Sequence, residues 1–183
     1  MTYTWKDIFK KSYPILIFTA FIGILGGQML NSIERVLVEI PVLLFLLPVI
    51  NGVGGNLGIV LGARISSGLH SGYIEADMGD EEMKENMIVT LIVGCIVYLS
   101  ISITLAATST VIDLGVFAYE ISSVVIGAGL ILTVSIVFLT LLLTFISYRK
   151  KLDPDDVVPP LVTTVGDFIG IASLLLMVWV VIL

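Results

Sequence analysis

Long hydrophobic stretches, with no regular alternation of polar residues, dominate the chain. A bilayer core is about 30 Å thick and needs about 20 apolar residues per spanning helix. Five stretches are long enough: residues 13–31, 36–63, 87–112, 122–148 and 157–183. Strands of a membrane barrel would instead alternate apolar and polar residues over about ten positions. The pattern therefore predicts an all-α integral membrane protein with five transmembrane helices in one domain, residues 1–183.

The composition excludes the water-soluble classes of protein. Hydrophobic residues make up 57% of the 183 residues and charged residues 13%, whereas a soluble domain carries about 25% charged residues. The net charge of −6 leaves no basic surface for nucleic acid. One cysteine and one histidine cannot form an internal disulfide or a zinc cage.

The basic residues indicate the orientation of the chain. If the N-terminus is cytoplasmic, eight of the nine fall on the inner side and only Arg35 falls outside. Cytoplasmic segments of membrane proteins are generally enriched in Lys and Arg. The distribution therefore predicts a multi-pass protein of the cell membrane with a cytoplasmic N-terminus and an extracellular C-terminus. Residues 1–12 mix Trp5 and Phe9 with lysines, which predicts a separate amphipathic helix on the inner surface.

The second hydrophobic stretch contains residues that weaken a helix. Pro48 removes a backbone hydrogen bond, and glycines follow at positions 52, 54, 55 and 58. Irregular backbone at membrane depth is tolerated where it lines a polar cavity. We therefore predict that helix two is interrupted and that Asn51, Gly55 and Asn56 offer oxygen atoms to a cation. A kinked helix that packs tightly through its glycines is the alternative.

The fifth stretch carries a carboxylate near its middle. Asp167 at this depth costs at least about 2.5–3.5 kcal/mol, so it needs a cation, a proton or a wet path. Thr163, Asp167 and Gly170 share one helix face, and Thr164 is adjacent. Carboxylate, hydroxyl and carbonyl oxygens suit Mg²⁺ or Ca²⁺. The predicted metal residues are Asp167, Thr163, Thr164, Gly170, Asn51, Gly55 and Asn56.

An enzymatic role is not expected. Gly166-Asp167 superficially matches the end of the Gly-x-Gly-Asp motif of intramembrane aspartyl proteases, but Thr164 replaces the first glycine. Such catalysis also needs a second buried carboxylate to share a proton, and no other stretch carries one at depth. We predict no catalytic residue.

Two motifs resemble one family of membrane proteins. Pro48-x₅-Gly54-Gly55-Asn56-x-Gly58, followed by Arg64, is similar to the second membrane helix of the MgtE magnesium channels and their eukaryotic solute-carrier relatives. Residues 152–167, LDPDDVVPPLVTTVGD, resemble the entry and core of the family's last helix. The resemblance implies a homodimer with a central pore lined by helices two and five. It also implies that Asp167 of both subunits holds a hydrated Mg²⁺.

The sequence departs from the family in two respects. About twelve residues precede the first helix, so no cytoplasmic sensor domain is expected, and Val60 stands where many members have glutamine. A channel, an exchanger driven by Na⁺ or H⁺, and a non-transporting membrane subunit therefore remain open.

The acidic residues 75–85 are interpreted as a solvated loop, with a regulatory cation site as the alternative. Asp153 and Pro154 predict the N-cap and first residue of helix five.

Overall fold

The fold consists of helices joined by short connections. The computed structural model describes residues 5–31, 34–77, 79–112 and 115–182. Within these ranges six helices follow one another: α1 Trp5–Asn31, α2 Glu34–Glu39, α3 Val42–Ser71, α4 Glu81–Thr108, α5 Ala118–Arg149 and α6 Pro154–Val181. All except α2 are long and apolar enough to cross a membrane. The predicted all-helical class with five long membrane helices is therefore confirmed.

The N-terminal segment forms one helix where the sequence predicts two. α1 continues without a break from Trp5 to Asn31, and residues 1–4 of the predicted surface helix lie outside the described part. Residues 5–13 contain neither glycine nor proline, so nothing ends the helix before the apolar stretch begins. Pro14 lies inside the helix and removes one backbone hydrogen bond without ending it.

A proline that the sequence analysis overlooked divides the second predicted segment. Pro41 separates the short α2 from α3, because a proline disfavours helical backbone in the residue before it, here Ile40. α3 then extends past the predicted end at residue 63 to Ser71. It stops at Gly72, whose φ of +72° is left-handed and suits glycine.

The predicted interruption of helix two is absent. α3 is helical through Pro48 and through all four glycines. The physical reason is packing: a Cβ atom on Gly54 would overlap Leu132, and one on Gly58 would overlap Val162. The glycines bring α3 close to α5 and α6, and this contact supports a helix that they would otherwise weaken. Of the alternative, a kinked helix that packs tightly through its glycines, the tight packing is observed.

The acidic segment 75–85 is only partly a loop. α4 begins at Glu81, six residues before the predicted start. The Asp80 carboxylate caps it by accepting a hydrogen bond of 2.8 Å from the Met83 amide. At the start of α6, the Asp153 carboxylate accepts from the Asp155 amide at 3.1 Å, and Pro154 is the first helical residue. The predicted cap of the last helix is therefore confirmed.

The core lies around α5, which packs against α3, α4 and α6, while α1 lies along α6. Leu132 and Ile136 of α5 are fully buried. Tyr98 of α4 is also buried, and its hydroxyl donates a hydrogen bond of 2.9 Å to the Ile50 carbonyl of α3. Gly129 leaves room for the Tyr98 ring. The Tyr98 hydrogen bond therefore fixes the register of α4 relative to α3.

Candidate functional site

The register between α3 and α6 determines which predicted site residues meet. One face of α3 consists of small residues: Asn51, Gly55, Gly58 and Gly62. α6 runs antiparallel along that face, and the closest pairs are Gly62 with Val158, Gly58 with Val162, Gly55 with Thr163, and Asn51 with Gly170. Close approach through small residues is the usual way in which membrane helices associate. It brings the Asn51 side chain beside Asp167.

Asp167 lies at the midpoint of α6 and is exposed on the surface of the single chain. It lines a groove of about 560 Å³ between α1, α3 and α6. We call this the carboxylate groove. Asn51 and Thr164 supply its other polar side chains, and much of the remaining wall is glycine: Gly23, Gly26 and Gly27 of α1 and Gly52 of α3.

Asn51 connects the two helices at the level of the carboxylate. Its Nδ2 atom donates a hydrogen bond of 3.3 Å to the Asp167 backbone oxygen. Its Oδ1 atom is buried without a hydrogen-bond partner among the described residues. That atom lies over Gly170, where a Cβ atom would overlap it. The structure thus gives Gly170 the role of making room for Asn51.

The hydroxyl groups of Thr163 and Thr164 donate to backbone carbonyls of their own helix. Thr163 Oγ1 lies 2.9 Å from the Pro159 oxygen, and Thr164 Oγ1 lies 2.9 Å from the Pro160 oxygen. With its hydrogen committed to the backbone, each hydroxyl presents oxygen lone pairs outward. Only Thr164 lines the carboxylate groove. It therefore offers an acceptor oxygen one helical turn from Asp167.

The other predicted residues lie apart from this groove. Gly55 is buried, with the position of its missing Cβ 3.5 Å from Thr163 Cγ2, so it serves the α3–α6 contact. Asn56 is exposed on α3 but does not line the groove. The structure therefore brings Asn51, Thr164 and Asp167 together in the carboxylate groove, with Gly170 against the Asn51 side chain.

Sequence reasoning missed the wall that α1 contributes. Gly23 and Gly27 are four residues apart and have nothing within 4 Å of their missing Cβ positions. Two glycines on one face of a membrane helix are a signal of close packing, and this signal could have been recognised. This face borders Asp167 because of the way in which α1 packs on α6. That packing cannot be recognised from a local sequence pattern.

One copy of the chain supplies one carboxylate to the groove. Within the described ranges Asp167 has no lysine or arginine partner, and no three His, Cys, Asp or Glu side chains come together as a metal cluster. The chemistry that one copy offers is a single negative charge with amide and hydroxyl oxygens nearby. Such groups attract a hard cation but do not form a complete coordination shell.

Five membrane-length helices, one of which carries an exposed aspartate at its midpoint, define a multi-pass membrane protein. A family model described as MgtE, divalent cation transporter, matches residues 47–177. The chain belongs to this family, which confirms the predicted resemblance and the prediction that the protein is not an enzyme.

A curated relative extends the match. The chain is 28% identical over 169 residues to the magnesium transporter MgtE of Bacillus subtilis (strain 168). The aligned region covers 88% of this chain and 34% of the relative. The chain thus spans about a third of the length of that relative.

Proposed function

We propose that this protein carries divalent cations across the membrane, with Mg²⁺ as the substrate, through a path that passes Asp167. The observation that carries the proposal is an exposed carboxylate at the midpoint of a membrane-length helix. It has no basic partner in the described part of the chain. A carboxylate at this depth costs about 2.5–3.5 kcal/mol, so a transported cation is the natural source of its counter-charge. Family membership and the name of the Bacillus relative support the same substrate class.

The groups around Asp167 suit an ion that keeps its water. Mg²⁺ loses water reluctantly and is usually held by one or two carboxylates with several waters retained. The Asp167 carboxylate and the lone pairs of Thr164 are both acceptors for the hydrogen atoms of such waters. α3 and α6, the second and fifth membrane helices, would form the lining.

A second copy of the chain completes the proposed path. The carboxylate groove opens on the surface of one chain, where it would otherwise meet lipid. Two-fold symmetry is the commonest closed arrangement of identical subunits, and it would place a second Asp167 near the first. In the proposed orientation the N-terminus is cytoplasmic and the C-terminus extracellular, in line with the distribution of Lys and Arg.

The test is Mg²⁺ flux into proteoliposomes that contain the purified protein. We expect flux in the wild type and a loss of at least about tenfold in Asp167→Asn, which keeps the shape of the side chain but removes the charge-assisted contact. Glu75→Gln removes one charge from the loop outside the membrane helices and is the matched control, with flux retained.

Varying the membrane potential and the Na⁺ and H⁺ gradients separates a channel from a coupled exchanger. Cross-linking in the membrane measures the dimer. Absence of flux from folded, dimeric wild-type protein would contradict the proposal and favour a non-transporting subunit.

A further inference from the structure

Two grooves meet where α5 ends, and Asp167 lines neither of them. The first has a volume of about 340 Å³, and its wall consists mainly of apolar side chains of α5: Phe138, Leu141, Leu142, Phe145 and Ile146. The second, which we call the polar part, has a volume of about 610 Å³ and three charged residues in a mixed lining: Arg149, Lys151 and Asp153. Ala76 and Arg149 line both grooves, so the apolar and polar parts form one continuous surface.

The apolar part has the length of one membrane leaflet. Phe138 and Arg149 are eleven residues apart on α5, which corresponds to about 16 Å along a helix. The hydrocarbon core is about 30 Å thick, so the groove extends through about half of it and ends in charged residues. Phe138, Leu142 and Ile146 are 64%, 46% and 41% exposed. This shape fits an acyl chain that lies along α5 with its headgroup at Arg149.

The combined surface carries both signs of charge. Arg149, Lys151 and Asp153 line the second groove. Asp77 adds a second carboxylate from the first groove, close to the shared residues Ala76 and Arg149. Neither Arg149 nor Lys151 forms an ion pair with any carboxylate in the described ranges, which leaves both available to a ligand. A headgroup with one phosphate and one ammonium matches this lining, since phosphate pairs with the cations and ammonium with the carboxylates. A purely anionic headgroup would leave the carboxylates opposed to it.

The walls of this surface are fixed without a ligand. Ile74 is buried against Gly68, and its amide donates a hydrogen bond of 3.1 Å to the Gly68 carbonyl, which holds the loop with Ala76 against the helices. The His70 ring packs edge-on against Tyr148 with centroids 6.0 Å apart. The ring is oriented by a contact of 2.9 Å between its Nδ1 atom and the Ser66 carbonyl. A ligand therefore meets a site that is already formed.

We propose that this surface binds one phospholipid of the phosphatidylethanolamine type. One acyl chain lies along α5, the phosphate contacts Arg149 and Lys151, and the ammonium faces Asp77 and Asp153. The bound lipid would fasten Ala76 and Asp77 to the end of α5. This site is separate from the carboxylate groove and does not depend on the transported ion.

Native mass spectrometry of the purified protein tests the proposal, with phosphatidylethanolamine, phosphatidylglycerol and phosphatidylcholine of equal chain length added in turn. We expect phosphatidylethanolamine to bind about threefold to tenfold more tightly than the other two, the effect of one additional contact between charged groups. Arg149→Gln should weaken its binding by about the same factor. Lys150→Gln removes a neighbouring charge that lines neither groove and should leave binding unchanged. Asp77→Asn should remove the preference for ethanolamine.

Three results would overturn the proposal. Equal binding of all three lipids would mean an apolar surface without headgroup recognition. A preference for phosphatidylglycerol would mean that the carboxylates play no part. Binding of soluble phosphoethanolamine as tightly as the lipid would mean that the apolar groove contributes nothing. Circular dichroism of each variant confirms that the helices remain folded in every comparison.

Discussion

Gly170→Ala distinguishes two roles for one residue. The sequence suggests that Gly170 offers its backbone carbonyl to a cation, and alanine would preserve that carbonyl. In the structure the added Cβ atom would instead overlap Asn51 Oδ1. The substitution should therefore displace the Asn51 side chain, break its hydrogen bond to the Asp167 backbone oxygen and reduce transport.

The expected loss of stability follows from three contributions. Overpacking costs about 1–3 kcal/mol, and loss of the Asn51 hydrogen bond costs about 0.5–1.5 kcal/mol. Replacing a helical glycine by alanine returns about 1 kcal/mol. We expect Gly170→Ala to be destabilised by about 0.5–3.5 kcal/mol in total.

Reversible unfolding in mixed micelles measures the stability, and Mg²⁺ flux measures the proposed transport. The double variant Asn51→Ala/Gly170→Ala should recover the stability that overpacking costs, because the shortened side chain leaves room for the new Cβ atom. It should not recover the flux, because the Asn51 amide is absent. Gly23→Ala is the control for stability, because nothing lies within 4 Å of its missing Cβ. A Gly170→Ala protein with the stability of Gly23→Ala and with wild-type flux would refute the geometry of Asn51.

Three further predictions concern the packing and the cap. Gly58→Ala should be about 1–3 kcal/mol less stable than Gly23→Ala in the same unfolding assay. Both variants gain helix propensity, but only at position 58 does the added Cβ atom meet branched side chains on α5 and α6. Equal stability of the two would contradict the α3–α6 register. Tyr98→Phe should lose about 0.5–1.5 kcal/mol, because the hydroxyl bond to the Ile50 carbonyl disappears inside the core; an unchanged unfolding midpoint would argue against that bond. Hydrogen bonds from two backbone amides hold the pKa of the Asp80 carboxyl below its usual 3.8. The cap should therefore persist at pH values above 3.8 and be lost as the pH falls through the lowered pKa. Its loss should increase the cleavage of the loop before α4 by an acid protease. The cleavage of Asp80→Asn should depend less on pH.

The sequence by itself determined the class of protein and the type of its elements. Five apolar stretches of membrane length leave the backbone one way to satisfy its hydrogen bonds at depth, which is to form helices. Asp153 and Pro154 gave the start of α6 correctly because capping is a local property of consecutive residues. Asp167 could be singled out for a similar reason, since one charge in a hydrophobic stretch is conspicuous without knowledge of its neighbours.

The path of α3 was not determined by its sequence. Pro48 and the four glycines have low helix propensity and favour an interruption, yet the helix continues because its glycine face packs closely on α5 and α6. Propensity is a weak preference that such contacts override. By contrast, the break at Pro41 was overlooked because the apolar stretch continues on both sides of it.

Only the tertiary structure decided how the site is arranged. Asn51 and Asp167 are 116 positions apart, and their contact depends on the antiparallel register of α3 and α6. The same register turned Gly55 and Thr163 toward each other and left Asn56 outside the groove. The sequence singled out side chains whose oxygen atoms suit a hard cation, because the chemical character of a side chain does not depend on the fold. Which of them share one groove depends on packing between distant helices, because the helical period fixes only the face on which a residue lies.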